Sequence, residues 1–203
     1  VNSSAPYVAC GAHNRLGDIL AYAYLVVERR RLQQVDARVA ALRQWLQLPE
    51  DVPLGLARAS LEDLQAMMRR TVRIINQERL VLRYAHADFA AWKAAYPSHE
   101  IEPGDAPEGS QPHLAPKGLL GTVARGCFDY PQDGSKGPPV SACEIVAAGD
   151  PIGAACLQLA GVAAHIVAQA VSAPGFFRTQ LSAVKFRTGA ELQPNPAVTP
   201  GYS

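Results

Sequence analysis

Charged side chains are scarce in this chain. They make up 18% of 203 residues, and 19 basic and 18 acidic groups nearly cancel to a formal +1. That balance argues against a dedicated nucleic-acid binder, whose affinity comes mainly from neutralising phosphates. No polybasic tail suits an anionic membrane surface either. Cysteine pairs at metal or redox spacing are also lacking. Cys10, Cys127, Cys143 and Cys156 stand 117, 16 and 13 residues apart, and no Cys-x-x-Cys occurs. Cys10-x-x-His13 has a chelating interval, but two ligands do not make a site. His86, His99, His113 and His165 are scattered, with no His-x-x-x-His or Glu-x-x-His pair, so neither a metal nor a cofactor is expected. A Gly-x-Ser-x-Gly elbow and a phosphate-binding glycine loop are missing as well, and no catalytic residue is assigned. No initiator Met precedes Val1-Asn2-Ser3-Ser4-Ala5-Pro6, which reads as the processed N-terminus of an exported or organellar protein. In an oxidising compartment the four cysteines can form two disulfides; the alternative is small buried thiols.

What is present is apolar and helical in rhythm. Hydrophobic residues reach 48%, enough for a real core and too many for wholesale disorder. Between Arg15 and Tyr96 only Pro49 and Pro53 interrupt the chain. Leu32, Val35, Val39, Leu42 and Leu46 step by three and four, and Leu16 to Val27 form a broader apolar face that Asn14 is placed to cap. The spacing predicts a helix from Arg15 to Leu48, or two helices breaking near Arg29. A second helix is expected from Ser60-Leu61-Glu62-Asp63, a capping signal with acids in its first turn, to Tyr96. Joined by a short connector, the two form an antiparallel hairpin. With 13 basic and 9 acidic residues the hairpin is mildly basic.

The next 43 residues, 97–139, hold eight prolines and seven glycines, a density that predicts a strap without regular helix. Its second half, with Leu114, Leu119, Leu120, Val123, Phe128 and Tyr130, reads as docking on something. Ser141-Ala142-Cys143-Glu144 offers a capping box for a short helix, and Asp150-Pro151 opens an Ala-rich helix to Ser172. No residue from Ile152 to Val171 is charged. Membrane contact through 152–172 is therefore open, but Gln158, His165 and Gln169 share one face and favour a helix packed on protein. The divisions are thus 1–96, hairpin with an N-terminal arm; 97–139, strap; 140–188, C-terminal helical element; 189–203, extended tail. The expected fold class is mainly α: a long helical hairpin, a Pro/Gly-rich loop segment, a short helix and an apolar helix packed as a bundle.

Two functional readings follow. Elements that each need a neighbour to bury them, with no catalytic motif, point to a non-catalytic helical accessory or structural subunit of a larger exported or organellar assembly, partnered by other protein subunits and not by nucleic acid. The alternative is an enzyme. Arg29, Arg30 and Arg31 can converge across the hairpin on Arg69, Arg70 and Arg73 to bind an anion. Val39-Ala40-Ala41-Leu42-Arg43 followed by Gln47-Leu48-Pro49-Glu50-Asp51 resembles, locally, the end of the first helix in secreted, all-helical chorismate mutases. The resemblance implies a cofactor-free rearrangement of an anionic substrate, with Arg31 standing one residue out of place for the family's carboxylate-binding Arg and Arg43 for its Lys. Gln77, ahead of Trp92, echoes the family's later helix, while Leu82 and Ala85 replace its polar catalytic side chains. On this alternative Arg31, Arg43, Arg70 and Arg73 line the anion pocket.

Overall fold

A computed structural model describes residues 5–49, 52, 54, 61–96, 118–129, 137–146, 151–173 and 175–194. Its centre is a sheet, which overturns the mainly-α expectation. Strand β1 (Tyr7–Leu16) and β2 (Ile19–Glu28) form a hairpin, followed by α1 (Leu32–Trp45), α2 (Leu61–Gln77), β3 (Val81–Asp88), α3 (Phe89–Ala95), α4 (Gly118–Asp129), β4 (Cys143–Val146), α5 (Ala154–Ser172), α6 (Phe176–Ala183) and β5 (Arg187–Leu192). The strands lie in the order β4-β1-β2-β3-β5. The β1–β2 and β2–β3 pairs are antiparallel, while the edge strands β4 and β5 run parallel to β1 and β3. The chain is therefore α/β.

The expected hairpin dissolves for a physical reason. Residues 19–28 read Ile-Leu-Ala-Tyr-Ala-Tyr-Leu-Val-Val-Glu, rich in β-branched and aromatic side chains, and nearly all are buried. A strand covered on both faces has just such a continuous apolar run, and over ten residues it satisfies a helical template equally well. Even-numbered Leu20, Tyr22, Tyr24 and Val26 enter the core under α4; odd-numbered Ala23, Leu25 and Val27 enter the core under α1, α2 and α5. Pairing keeps the faces matched: Tyr22 lies opposite Ala85 and Ala23 opposite Tyr84. Gly17, at φ 57°, makes the tight β1–β2 turn where a helix was expected. Asn14 is accordingly a strand residue and caps nothing.

The second predicted helix survives only to Gln77. Arg79 takes a left-handed φ of 54° that ends it, and Val81–Asp88 continues as β3 beside β2. Ser60 lies outside the described residues, but Glu62 and Asp63 do occupy the first turn of α2. The Ser141 capping box is also overturned: Val140–Ala142 is a single 3-10 turn and Cys143–Val146 is strand β4. Part of the presumed strap is helix α4, whose Leu119, Leu120 and Val123 are fully or nearly fully buried on the sheet. Leu114 and Tyr130 lie outside the described residues. Part of the expected tail is strand β5.

Helix α5 is where the sequence placed it, entered through a 3-10 turn at Pro151–Gly153. Pro151–Ser172 is long and apolar enough to cross a membrane by length and composition, and here it lies across β1 and β2 as the main cover of one sheet face. Helices α1, α2, α5 and α6 occupy that face; α3 and α4 occupy the other. The close β3–β5 approach depends on Gly189, where a Cβ would stand 2.0 Å from the Tyr84 ring.

Candidate functional site

The site begins with the amphipathicity of α2. Met67, Met68, Thr71, Val72, Ile74 and Ile75 turn inward, so Arg69, Arg70 and Arg73 must project from the outer surface. They separate there. Arg70 stacks its guanidinium 3.9 Å from the exposed Trp45 ring, and Arg69 lies 5.5 Å over Phe176 of α6. Arg73 enters a groove between α2 and α6.

That groove has a volume of about 510 Å³ and is lined by Arg69, Val72, Arg73, Asn76, Gln77, Gln180, Ala183 and Lys185. Asn76 builds its far end. Its Nδ2 donates to the Ala183 carbonyl at 2.9 Å, and its Oδ1 accepts from the Lys185 backbone N–H at 2.8 Å. The side chain thereby fastens the exit of α6 to α2 and sets Lys185 on the opposite bank. Arg69, Arg73 and Lys185 form no ion pair among the described residues, and no carboxylate lines the groove. Gln180 is 9% exposed, and its side-chain amide has no hydrogen-bond partner among the described residues. The buried side-chain oxygen without a partner among the described residues is Thr71 Oγ1; the Gln180 amide instead reaches the groove surface, where its donor and acceptor are available to a ligand.

The arginines proposed from sequence do not converge. Arg31 faces Glu28 at 3.7 Å and Glu78 at 4.0 Å, and Arg38 joins the same Glu78 at 3.2 Å. Arg29 pairs with Glu144, and Arg30 with Glu28. Arg43 is a fastener at the end of α1: it donates to the carbonyls of Val52 and Pro49 and to Gln158 Oε1 of α5. Of Arg31, Arg43, Arg70 and Arg73, only Arg73 reaches the groove. The all-helical architecture implied by the chorismate-mutase resemblance fails with them, because Leu82 and Ala85 are buried strand residues of β3. Glu50 and Asp51 lie outside the described residues. Sequence reading left out Asn76, Gln180 and Lys185 and had Gln77 only through the chorismate-mutase resemblance; they come from α2 and from α6 with the residues just after it, about 100 positions further along the chain. The signal that did exist was the four-residue step from Arg69 to Arg73 to Gln77, which puts them on one stripe of α2.

The cysteines are free thiols, correcting the disulfide expectation. Cys10 and Cys156 lie together under α5, and Cys127 and Cys143 lie on the opposite side of the sheet. Each Sγ points at a backbone carbonyl: Gly153, Leu25, Val123 and Pro139 respectively. The Cys156 thiol is held far above its ordinary range by its hydrogen bond with Cys10 and by burial; burial likewise raises Cys127 and Cys143. Such thiols are poor nucleophiles. Burial pushes His86 and His165 below the usual histidine range, and Glu191 partly opposes this at His86. Among the described residues no three His, Cys, Asp or Glu side chains gather as metal ligands.

Set against protein-family models, curated proteins and solved structures, the chain matches none of them. The functional reading therefore rests on the groove.

Proposed function

We propose that this protein is a non-catalytic accessory subunit that holds an anionic group of its partner in the α2–α6 groove. The observation that carries this is the meeting of three unpaired cations with the unpartnered amide of Gln180. Cations without carboxylates attract a negative ligand over several ångströms, and an amide at the groove surface adds directional hydrogen bonds. The same lining contains no carboxylate, thiol, hydroxyl or imidazole among the described residues, so Lys185 stands there without the partner acid or base that would set it up for catalysis. The buried thiols of Cys127 and Cys156 are raised well above the ordinary cysteine range, which supports the non-catalytic half of the reading.

Calorimetric titration with inorganic tripolyphosphate at low ionic strength tests the groove. Binding is expected for the wild type and is lost in Arg73→Glu, an exposed position where the charge reversal leaves the fold intact. Absence of wild-type binding, or equal binding by the variant, rejects the reading. The subunit role is read from size: the native protein should run with partners under mild detergent, and a strictly monomeric native protein removes that role.

A further inference from the structure

Building on the anion-binding reading above, we infer that the groove's ligand is an extended acidic segment of a partner protein, with carboxylates on alternate residues. The argument starts from spacing. Arg69, Arg73 and Gln77 follow one another at four-residue steps on the groove side of α2, which places them about 6 Å apart along the helix axis. Alternate side chains of an extended peptide lie about 6.7 Å apart on one face. Two acidic side chains at such positions therefore meet Arg69 and Arg73 in register, and a third polar one reaches Gln77. The difference of under ~1 Å per step is well within the reach of an arginine side chain. Lys185, held on the opposite bank by the Asn76 clamp, supplies a third positive group across the groove.

The amide of Gln180 decides between an extended segment and a helix. The residue is 9% exposed and lies in the groove lining, and its amide, which reaches the groove surface, has neither donor nor acceptor paired among the described residues. A side-chain amide offers both a donor and an acceptor, the same pair that a peptide unit offers. An extended backbone has N–H and C=O groups free to meet it. A helix carrying acids four residues apart would match the arginine spacing, but its backbone groups are consumed within the helix. Val72 and Ala183 give the groove a small apolar floor, room for the minor apolar residues of such a segment. A single-stranded nucleic acid also presents evenly spaced negative charges. Its recognition normally adds aromatic platforms for the bases, and none of the lining residues is aromatic.

Fluorescence anisotropy on the full chain, with short labelled peptides, tests the inference. One peptide carries glutamate at every second position among serine and threonine; a second of identical composition carries its glutamates as one contiguous block; tripolyphosphate and poly(U) serve as competitors. The alternating peptide is expected to bind about tenfold more tightly than the block peptide. Arg73→Glu and Lys185→Glu should each weaken it by tenfold or more. Gln180→Leu should weaken the peptide by about fivefold and tripolyphosphate by less than about twofold, because only the peptide has a backbone for the amide to read. Melting curves confirm that each variant is folded. Equal affinity for the two peptides, insensitivity of the peptide to Gln180→Leu, or tighter binding of poly(U) overturns the extended-peptide inference. If tripolyphosphate still binds through Arg73 in that case, the anion-binding function stands; if tripolyphosphate does not bind at all, both fall.

Discussion

Around Glu78, at the end of α2, two arginines converge on one carboxylate whose side chain is 7% exposed. One turn away, Arg73 and its neighbours face a groove with no carboxylate in it. Both regions arise from the same basic stretch of sequence, and both lie on the outer flank of one sheet face. They differ in what folding brings opposite them. Arg31 and Arg38 come from α1 and its entry turn and find Glu78; Arg73 finds α6 and the chain that leaves it, which contribute Gln180 and Lys185. The first arrangement is closed electrostatically and reads as structural support. The second is left open, and an open set of like charges is stabilised only by something from outside.

That contrast is sharpest when broken from the structural side. Glu78→Ala should destabilise the fold by about 1–2 kcal/mol, measured by urea unfolding, because Arg38 loses its acid and Arg31 keeps only Glu28; the arginines' partial exposure keeps the loss below that of a fully buried pair. Asn76→Ala should cost about 1–2 kcal/mol through its two lost bridging hydrogen bonds, and should also weaken tripolyphosphate binding as Lys185 loses its anchor. Gln180→Leu should shift stability by no more than about 0.5 kcal/mol, since the amide it removes makes no hydrogen bond to the described residues. Unchanged stability coupled to weaker peptide binding is the signature of a residue kept for a ligand. Arg73→Glu should shift unfolding by no more than about 0.5 kcal/mol, and a large loss there would show that the groove arginine is structural after all.

Burial without a partner has a pH signature as well. His86 and His165 have folded-state values below the ordinary 6.5 because burial disfavours the charged ring. The unfolded chain therefore binds protons first, and stability falls as pH drops through about 6.5 toward those lower values. Above that range the contribution is fully present. Chemical denaturation from pH 7.5 down to 5 should show this decline, and His165→Gln should flatten it; an unchanged slope would assign the decline to other groups.

Part of this fold was legible along the chain. Helix α5 and the start of α2 were visible because each carries its signal within one stretch: a proline entry before an uncharged Ala-rich run, and acids in the first turn before an amphipathic stripe. Strand β2 was not, because burial on both faces removes the polar alternation that separates a strand from a helix. Strand β3 did carry an alternation, in Ala85-His86-Ala87-Asp88, but it follows α2 after three residues and the apolar spacing ran on through the boundary. Helix α4 was hidden by the prolines and glycines around it, although Leu119, Leu120 and Val123 already declared an apolar face.

The candidate site shows the same division. Composition and periodicity determined that the chain has a large core, that α2 is basic on its outer face, and that its arginines recur at helical intervals. Only the tertiary structure decided which arginines meet an acid and which do not, because ion pairing depends on what a distant segment places within a few ångströms. Gln180 and Lys185 belong to the site because the chain after α5 turns back over α2 and is fastened there by Asn76. No local pattern in the sequence encodes that contact; it is set by how α5 lies across the sheet and where it delivers α6.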